Sequence, residues 1–130
     1  MNCWTFLDYV DDNGVNVIHS WLHGLSPKAR AKINVRIGWL SKGSVAFGMP
    51  NTRDLVGECD GLFEVRVKYD KVQYRPLGYR GPREQTVTLL AGAKEVNDHL
   101  RPPGVCRTAI NRTVRIEFDS ERHTCEHDYD

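Results

Sequence analysis

The stretch 61–95 alternates apolar and polar residues on either side of a short polar turn, and this pattern constrains the fold more than any other part of the chain. Tyr69 and Val72 flank the dipeptide Asp70-Lys71, which predicts a β-hairpin with a two-residue turn. Side chains along such strands point alternately to the two faces of the sheet. The predicted apolar face holds Phe63, Val65, Val67, Tyr69, Val72 and Tyr74, and the opposite face holds Glu64, Arg66, Lys68, Gln73 and Arg75.

The hairpin register sets Arg66 directly opposite Arg75, although like charges that face each other across a strand pair are destabilising. Three explanations remain open. The two guanidinium groups can extend into water and share Glu64 as a counter-ion. The register can instead be shifted by one residue, because Pro76 cannot donate a ladder hydrogen bond. Alternatively, the pair binds an anion on an open sheet surface, and phosphate suits a planar, bidentate guanidinium well.

Charge is unevenly distributed along the chain. The formal net charge is only +1, but residues 28–118 hold 17 basic and 9 acidic residues, whereas both ends are acidic. A nearly neutral protein can therefore carry a basic working surface. This distribution permits a polyanionic partner without establishing one.

Length and composition predict a single soluble domain spanning residues 1–130. No apolar run approaches the ~18 residues that indicate a membrane span. The first residues lack the basic start of a signal peptide, so we expect a cytoplasmic protein without membrane contact. The four cysteines are scattered without a CxxC pair, and reduced thiols are therefore expected.

Periodicity predicts an α+β fold of order βααβββα, with a small antiparallel sheet, an N-terminal helical hairpin and a C-terminal helix. Ser26-Pro27 supplies an N-cap and a first-turn proline for the second helix. Residues 41–60 are expected to form a loop, and residues 119–130 a flexible polar tail. The predicted strands cover residues 2–10, 61–69, 72–79 and 85–93, and the predicted helices cover residues 15–22, 28–40 and 105–122.

Histidine and cysteine patterns give only weak signals for a metal site. His123, Cys125 and His127 alternate in the polar tail, whereas a zinc site takes paired spacings and four ligands. His19 and His23 stand four residues apart on the first predicted helix, and the sequence offers no third ligand near them. We therefore expect no metal and no cofactor.

Aromatic and basic residues of the predicted helices have two interpretations each. Trp4, Trp21 and Trp39 are interpreted as core anchors of the first strand and the two helices rather than as base-stacking platforms. Four basic residues of the second helix form either a solvated face or an RNA contact: Lys28, Arg30, Lys32 and Arg36.

Four segments within about residues 4–118 resemble the RelE/ParE toxin superfamily and, within it, the phage-derived HigB-like branch. These segments are FLDYVDDNG with the WL and LSPKARAKI that follow it, GLFEVRV, VQYRPLGYRG with its Tyr-Arg pair, and TVTLLAGAKE. Each motif is weak alone, and their order and spacing carry the resemblance. The resemblance implies a RelE-like fold and the toxin of a type II toxin–antitoxin system.

The resemblance also implies a metal-independent, ribosome-dependent mRNA endoribonuclease, in which the ribose 2′-hydroxyl attacks the adjacent phosphate. The catalytic candidates by motif match are Arg66, Arg75 and Lys94. The RNA-binding candidates are Lys68, Arg80, Lys28 and Lys32. No tyrosine or histidine occupies a matching late position, so the proton acceptor stays unassigned. The implied partners are a cognate antitoxin of the helix-turn-helix class, the ribosome and mRNA.

Two other functions remain open from the sequence. A non-catalytic protein of the same fold would inhibit gyrase, as ParE-like members do, or would be an inactive phage-derived relic. A plain nucleic-acid-binding domain would bind without cleavage, and its binding would weaken steeply with salt.

Overall fold

A computed structural model describes residues 3–130, so residue 2 of the predicted first strand lies outside the described residues. The helices are α1 Val17–His23, α2 Pro27–Lys42, α3 Val105–Phe118 and α4 Ser120–His123. The strands are β1 Thr5–Tyr9, β2 Thr52–Asp54, β3 Phe63–Val65, β4 Val67–Tyr69, β5 Val72–Tyr74, β6 Leu77–Arg80, β7 Thr86–Ala91, β8 Lys94–Val96, β9 His99–Arg101 and β10 Thr124–Glu126. The predicted α+β class is confirmed, but the numbers of helices and strands differ from the order βααβββα.

Two sheets form where the sequence predicts one. The larger sheet has six strands in the order β10-β1-β7-β6-β3-β2, and the smaller has four in the order β4-β5-β8-β9. Neighbouring strands are antiparallel except β1 and β7, which run parallel. The strands predicted over residues 61–69 and 72–79 each divide between the sheets, because β3 and β6 join the larger one while β4 and β5 join the smaller.

The hairpin of β4 and β5 has the predicted register, with Tyr69 opposite Val72. Asp70 and Lys71 in its turn have φ angles of 50° and 66°, which is the backbone of a type I′ turn. A second turn with positive φ angles, at residues 97–98, joins β8 to β9 and is missing from the sequence prediction. This second hairpin extends the smaller sheet beyond the predicted fourth strand.

Helix α2 begins and ends where its sequence signals predict. Ser26 Oγ accepts a hydrogen bond from the Ala29 N–H at 3.2 Å, Pro27 is the first helical residue, and Gly43 ends the helix with a φ of 76°. The inward positions Ile33, Ile37 and Leu40 are buried, as predicted. Among the described residues, no helix combines the length and the apolar character needed to cross a bilayer.

The C-terminal segment is ordered, and its prediction as a flexible tail is wrong. Residues 120–123 form α4, and β10 pairs antiparallel with β1 so that Leu7 faces Glu126. His123 and His127 are both buried. The segment packs because its polar residues find partners in distant parts of the chain, which its own sequence pattern does not reveal.

Two further expectations about single residue types are corrected by the structure. Cys59 and Cys106 form a disulfide with their Cα atoms 5.0 Å apart, whereas reduced thiols are predicted. Trp4 and Trp21 pack partly against the core, but Trp39 is 45% exposed and is not a core anchor. The exposed position of Trp39 places it among the basic residues of α2.

Candidate nucleic-acid interface

Glu64 brings three arginines together around one buried carboxylate. Its side chain is fully enclosed, and its Oε2 accepts a hydrogen bond from Arg66 Nη1. The same oxygen lies 3.4 Å from Arg53 Nε and 3.7 Å from Arg75 Nε. A buried charge costs free energy unless it is paired, and the negative charge of Glu64 offsets the repulsion between Arg66 and Arg75. Together with Glu95, these residues form what we name the Glu64 cluster.

Arg75 lies inside the Glu64 cluster rather than on an open sheet surface, and that expectation is corrected. Only 4% of its side chain is exposed, and its Nε donates to Glu95 Oε1 at 3.0 Å. Its Nη1 donates to the Tyr74 carbonyl at 2.9 Å, and its Nη2 donates to Gln73 Oε1. Burial, followed by the nearby charge of Arg66, lowers the pKa of Arg75, while the hydrogen bond to Glu95 opposes that shift. The guanidinium therefore has internal partners on every nitrogen.

Lys94 points away from the other two catalytic candidates. It pairs with Tyr74 across β5 and β8, so the two side chains share one face of the smaller sheet. Its Nζ lies 5.7 Å from the centroid of the Tyr74 ring. Arg75 contacts Glu95, which lies on the opposite face, next to Lys94 in sequence. Lys94 and the Arg75–Glu95 pair therefore lie on opposite faces of the smaller sheet.

A groove between α2 and the edge strand β4 brings together three of the four predicted RNA-binding residues. It has a volume of about 520 Å³. Its charged lining comprises Lys28, Lys32, Arg36 and Lys68, and its uncharged lining comprises Ala31, Val35, Trp39, Val67 and Tyr69. No carboxylate lines this groove, which we name the basic groove. Four positive charges without an internal counter-ion favour an anionic ligand.

Helical spacing explains why the groove residues of α2 share one side. Lys28 and Val35 are seven residues apart, and so are Lys32 and Trp39. Seven residues are about two turns of an α-helix and roughly 10 Å along its axis. The sequence therefore carries a signal for Trp39 as a groove residue, but its large apolar ring favours the interpretation as a core anchor.

Arg36 connects the basic groove to the segment that carries Arg66. Its Nη1 donates to the Arg66 carbonyl at 2.7 Å, and its guanidinium carbon lies 5.6 Å from the centroid of the Trp39 ring. Arg66 itself is half-buried, with 19% of its side chain exposed. Arg66 is thus the catalytic candidate that lies nearest to the groove along the chain and retains contact with solvent.

Arg80, the fourth predicted RNA-binding residue, lies outside the groove. Its guanidinium carbon is 5.2 Å from the ring centroids of both Phe47 and Phe63. Its Nη1 is 3.2 Å from Asp54 Oδ1. The Arg80 guanidinium is therefore paired with Asp54 and packed against two aromatic rings of the protein.

A buried polar network ties the C-terminal segment to the core, and sequence reasoning missed it. His127 Nδ1 lies 2.8 Å from Asp8 Oδ1, and His127 Nε2 lies 2.8 Å from Asn34 Oδ1. Asn16 Nδ2 donates to Asp8 Oδ2 at 2.9 Å. Residues 3–130 contain no group of three or more potential metal ligands. The network links β1, α2 and the end of the chain.

Comparison with known proteins gives one match. The family model described as phage derived protein Gp49-like (DUF891) matches residues 20–112. The match covers the second half of α1, all of α2, the strands β2 to β9 and the first half of α3, and it leaves out β1 and β10. No curated protein and no solved structure matches the chain.

Proposed function

Because the chain belongs to the phage-derived Gp49-like family, a toxin-like family in the RelE/Gp49 group, we propose that it is the toxin of a type II toxin–antitoxin pair. In this proposal it belongs to the HigB-like branch and inhibits translation in the cytoplasm as a ribosome-dependent mRNA endoribonuclease. Its partners are the ribosome, mRNA and a cognate antitoxin of the helix-turn-helix class. The observation that carries the proposal is the basic groove, whose four cations have no carboxylate beside them.

The groove lysines are proposed to bind the RNA backbone. Lys28, Lys32 and Lys68 are exposed and approach one another from α2 and β4. Contacts with phosphates supply much of the affinity for nucleic acids and make it dependent on salt. Loss of one such contact to a single strand lowers the slope of log affinity against log salt by ~0.7. This slope distinguishes a lysine that contacts phosphate from one that only maintains the fold.

Arg66 is the proposed contact with the reacting phosphate. It shares its predicted face with Lys68, keeps contact with solvent and is held in position by Glu64. A guanidinium at this point would stabilise the negative charge that develops when the 2′-hydroxyl attacks. Arg75 is a positioning residue in this proposal, because it contacts Glu64 and Glu95 rather than solvent. Lys94 is left out of the phosphate site, since it lies on the other face.

A second candidate function is a non-catalytic interaction protein of the same fold, which inhibits gyrase or survives as an inactive relic. The observation that favours it is the enclosure of Arg75 by Glu95 and Gln73. In this state the protein satisfies its own guanidinium, and no side chain of a described histidine or tyrosine hydrogen-bonds to the Glu64 cluster. Binding without cleavage would need only the basic groove.

Inducing the protein in bacteria and mapping the 5′ ends of messenger RNA separates the two candidates. We expect new ends within translated codons, bearing 5′-hydroxyl groups, and arrested growth. Arg66→Gln is expected to abolish the cuts while RNA binding persists. The triple variant Lys28→Gln, Lys32→Gln and Lys68→Gln is expected to abolish both the cuts and the arrest.

Arg107→Gln is the matched control for Arg66→Gln, because Arg107 is exposed on α3 and the substitution removes one positive charge away from the basic groove. It should leave cleavage and arrest unchanged. Arrest with intact messages and damaged DNA would support the gyrase-inhibiting alternative. Arrest and cleavage that survive the triple variant would show that the groove is not the RNA site.

A further inference from the structure

The Trp39 side chain is partly exposed to solvent on the outer side of α2. It is 45% exposed, and Val35, one turn earlier, is 48% exposed. Trp39 lines the basic groove on one side and a second hollow of about 520 Å³ on the other. An indole in this position costs the free energy of its exposed apolar surface, and the core does not use its exposed part.

Cations surround Trp39, and no carboxylate lines either hollow beside it. Lys32 and Lys28 lie on the same side of the helix, and Lys42 lines the second hollow. The guanidinium of Arg36 is 5.6 Å from the ring centroid. Arg36 is anchored through its hydrogen bond to the Arg66 carbonyl, so it helps to hold one side of the ring.

We infer that Trp39 is a base-stacking platform and that the basic groove therefore selects single-stranded RNA over duplex. The phosphates of a short strand would lie on Lys28, Lys32 and Lys68, while one base stacks on the exposed indole. That the strand is RNA rests on the proposed function. The selection for a single strand rests on Trp39, because a duplex keeps its bases stacked inside and offers no free base face to an aromatic ring.

Charge complementarity and the small apolar area favour a nucleic acid over a protein as the occupant. One aromatic ring within a positively charged groove is the combination by which proteins bind single strands. A stable protein interface usually buries about 800 Å² on each partner around several apolar anchors. The exposed apolar side chains described on this side of α2 are few: Val35, Trp39 and the small Ala31, with Tyr129 beside the second hollow.

The test measures binding of the full chain to three ligands: an oligouridylate, an RNA hairpin duplex of equal charge and polyglutamate. Tryptophan fluorescence reports binding, and each titration is repeated at several salt concentrations. The wild-type protein should bind oligouridylate more tightly than duplex, with quenching of the emission. Trp39→Ala should weaken binding of the single strand about tenfold, and Trp39→Phe should keep most of the affinity. The emission of Trp39→Phe should no longer be quenched, because Trp4 and Trp21 lie outside the groove.

Salt titration separates stacking from a structural effect. Trp39→Ala should leave the salt slope unchanged, because no phosphate contact is lost, whereas Lys32→Gln should lower it by ~0.7. Circular dichroism checks that Trp39→Ala folds, and Arg107→Gln controls for net charge.

Equal binding of oligouridylate by the wild type and Trp39→Ala would overturn the stacking role but leave the RNA groove standing. Equal affinity for single strand and duplex would overturn the selection. Tighter binding of polyglutamate, lost in Trp39→Ala, would assign the surface to an acidic protein segment. Failure of the wild type to bind any RNA would overturn the proposed groove as well.

Discussion

Replacing His127 with alanine should destabilise the protein by about 4 kcal/mol. The imidazole is fully buried and the Asp8 side chain is 1% exposed, with 2.8 Å between Nδ1 and Oδ1. Removing one partner of such a buried pair costs about 3–5 kcal/mol. The second contact, to Asn34 Oδ1, is lost as well. We therefore expect a loss of unfolding free energy in the middle of that range.

Equilibrium unfolding in urea, followed by tryptophan fluorescence, measures this loss. For an unfolding slope of about 2 kcal/mol per molar urea, the midpoint should fall by about 2 M. His99→Ala is the matched control, because His99 is exposed on β9, and it should change the free energy of unfolding by less than about 0.5 kcal/mol.

A second variant covers the case in which His127→Ala fails to fold. Asp8→Asn keeps the size of the side chain and one acceptor oxygen, so it should cost less, about 1–2 kcal/mol. Combined with His127→Gln in a double-mutant cycle, it should show a coupling of at least about 1 kcal/mol. If His127→Ala unfolds at the same urea concentration as His99→Ala, the contacts of His127 with Asp8 and Asn34 do not hold the C-terminal segment in place.

Two further predictions concern the disulfide and the half-buried Tyr79. The Cys59–Cys106 bond closes a loop with a sequence separation of 47, so Cys106→Ser should lower the free energy of unfolding by about 4 kcal/mol. Urea melts under oxidising conditions measure this loss, and Cys3→Ser, the control, should not show it. Equal melts of the two variants would contradict the bond. Burial and the hydrogen bond to Glu117 raise the pKa of Tyr79 above its ordinary value of 10.0. Because folded Tyr79 then keeps a proton that unfolded Tyr79 loses, the free energy of unfolding should fall as the pH rises above about 10. Glu117→Gln should reduce that fall in thermal melts. An identical pH dependence in the wild type and in Glu117→Gln would contradict this role of Glu117.

The hairpin of β4 and β5 could be predicted from the sequence because its information is local. Alternating residues and the short turn at Asp70-Lys71 are adjacent in the chain, and they determine which side chains share a face. The N-cap and proline of α2 are local in the same way. These signals also place Lys68 on an exposed face and give the positions of Lys28 and Lys32 on one side of α2.

The burial of Arg75 could not be predicted in this way, because its partner Glu95 lies on a later strand. Glu95 reaches it through the pairing of β5 with β8, twenty residues later. The sequence does offer Glu64 as a shared counter-ion for Arg66 and Arg75, but that interpretation leaves the two arginines in water, and nothing in the pattern shows that Glu64 and Arg75 are buried. The burial of His127 depends in the same manner on Asp8, at the opposite end of the chain. Polar residues are predicted to be exposed unless a distant partner is known.

β10 lies at one margin of the larger sheet. β10 covers the outer side of β1, whose backbone amides and carbonyls would otherwise have no strand beside them. An uncovered strand readily pairs with another molecule. A truncated variant that ends before Thr124 is therefore expected to self-associate through β1. The last seven residues prevent this pairing by covering β1.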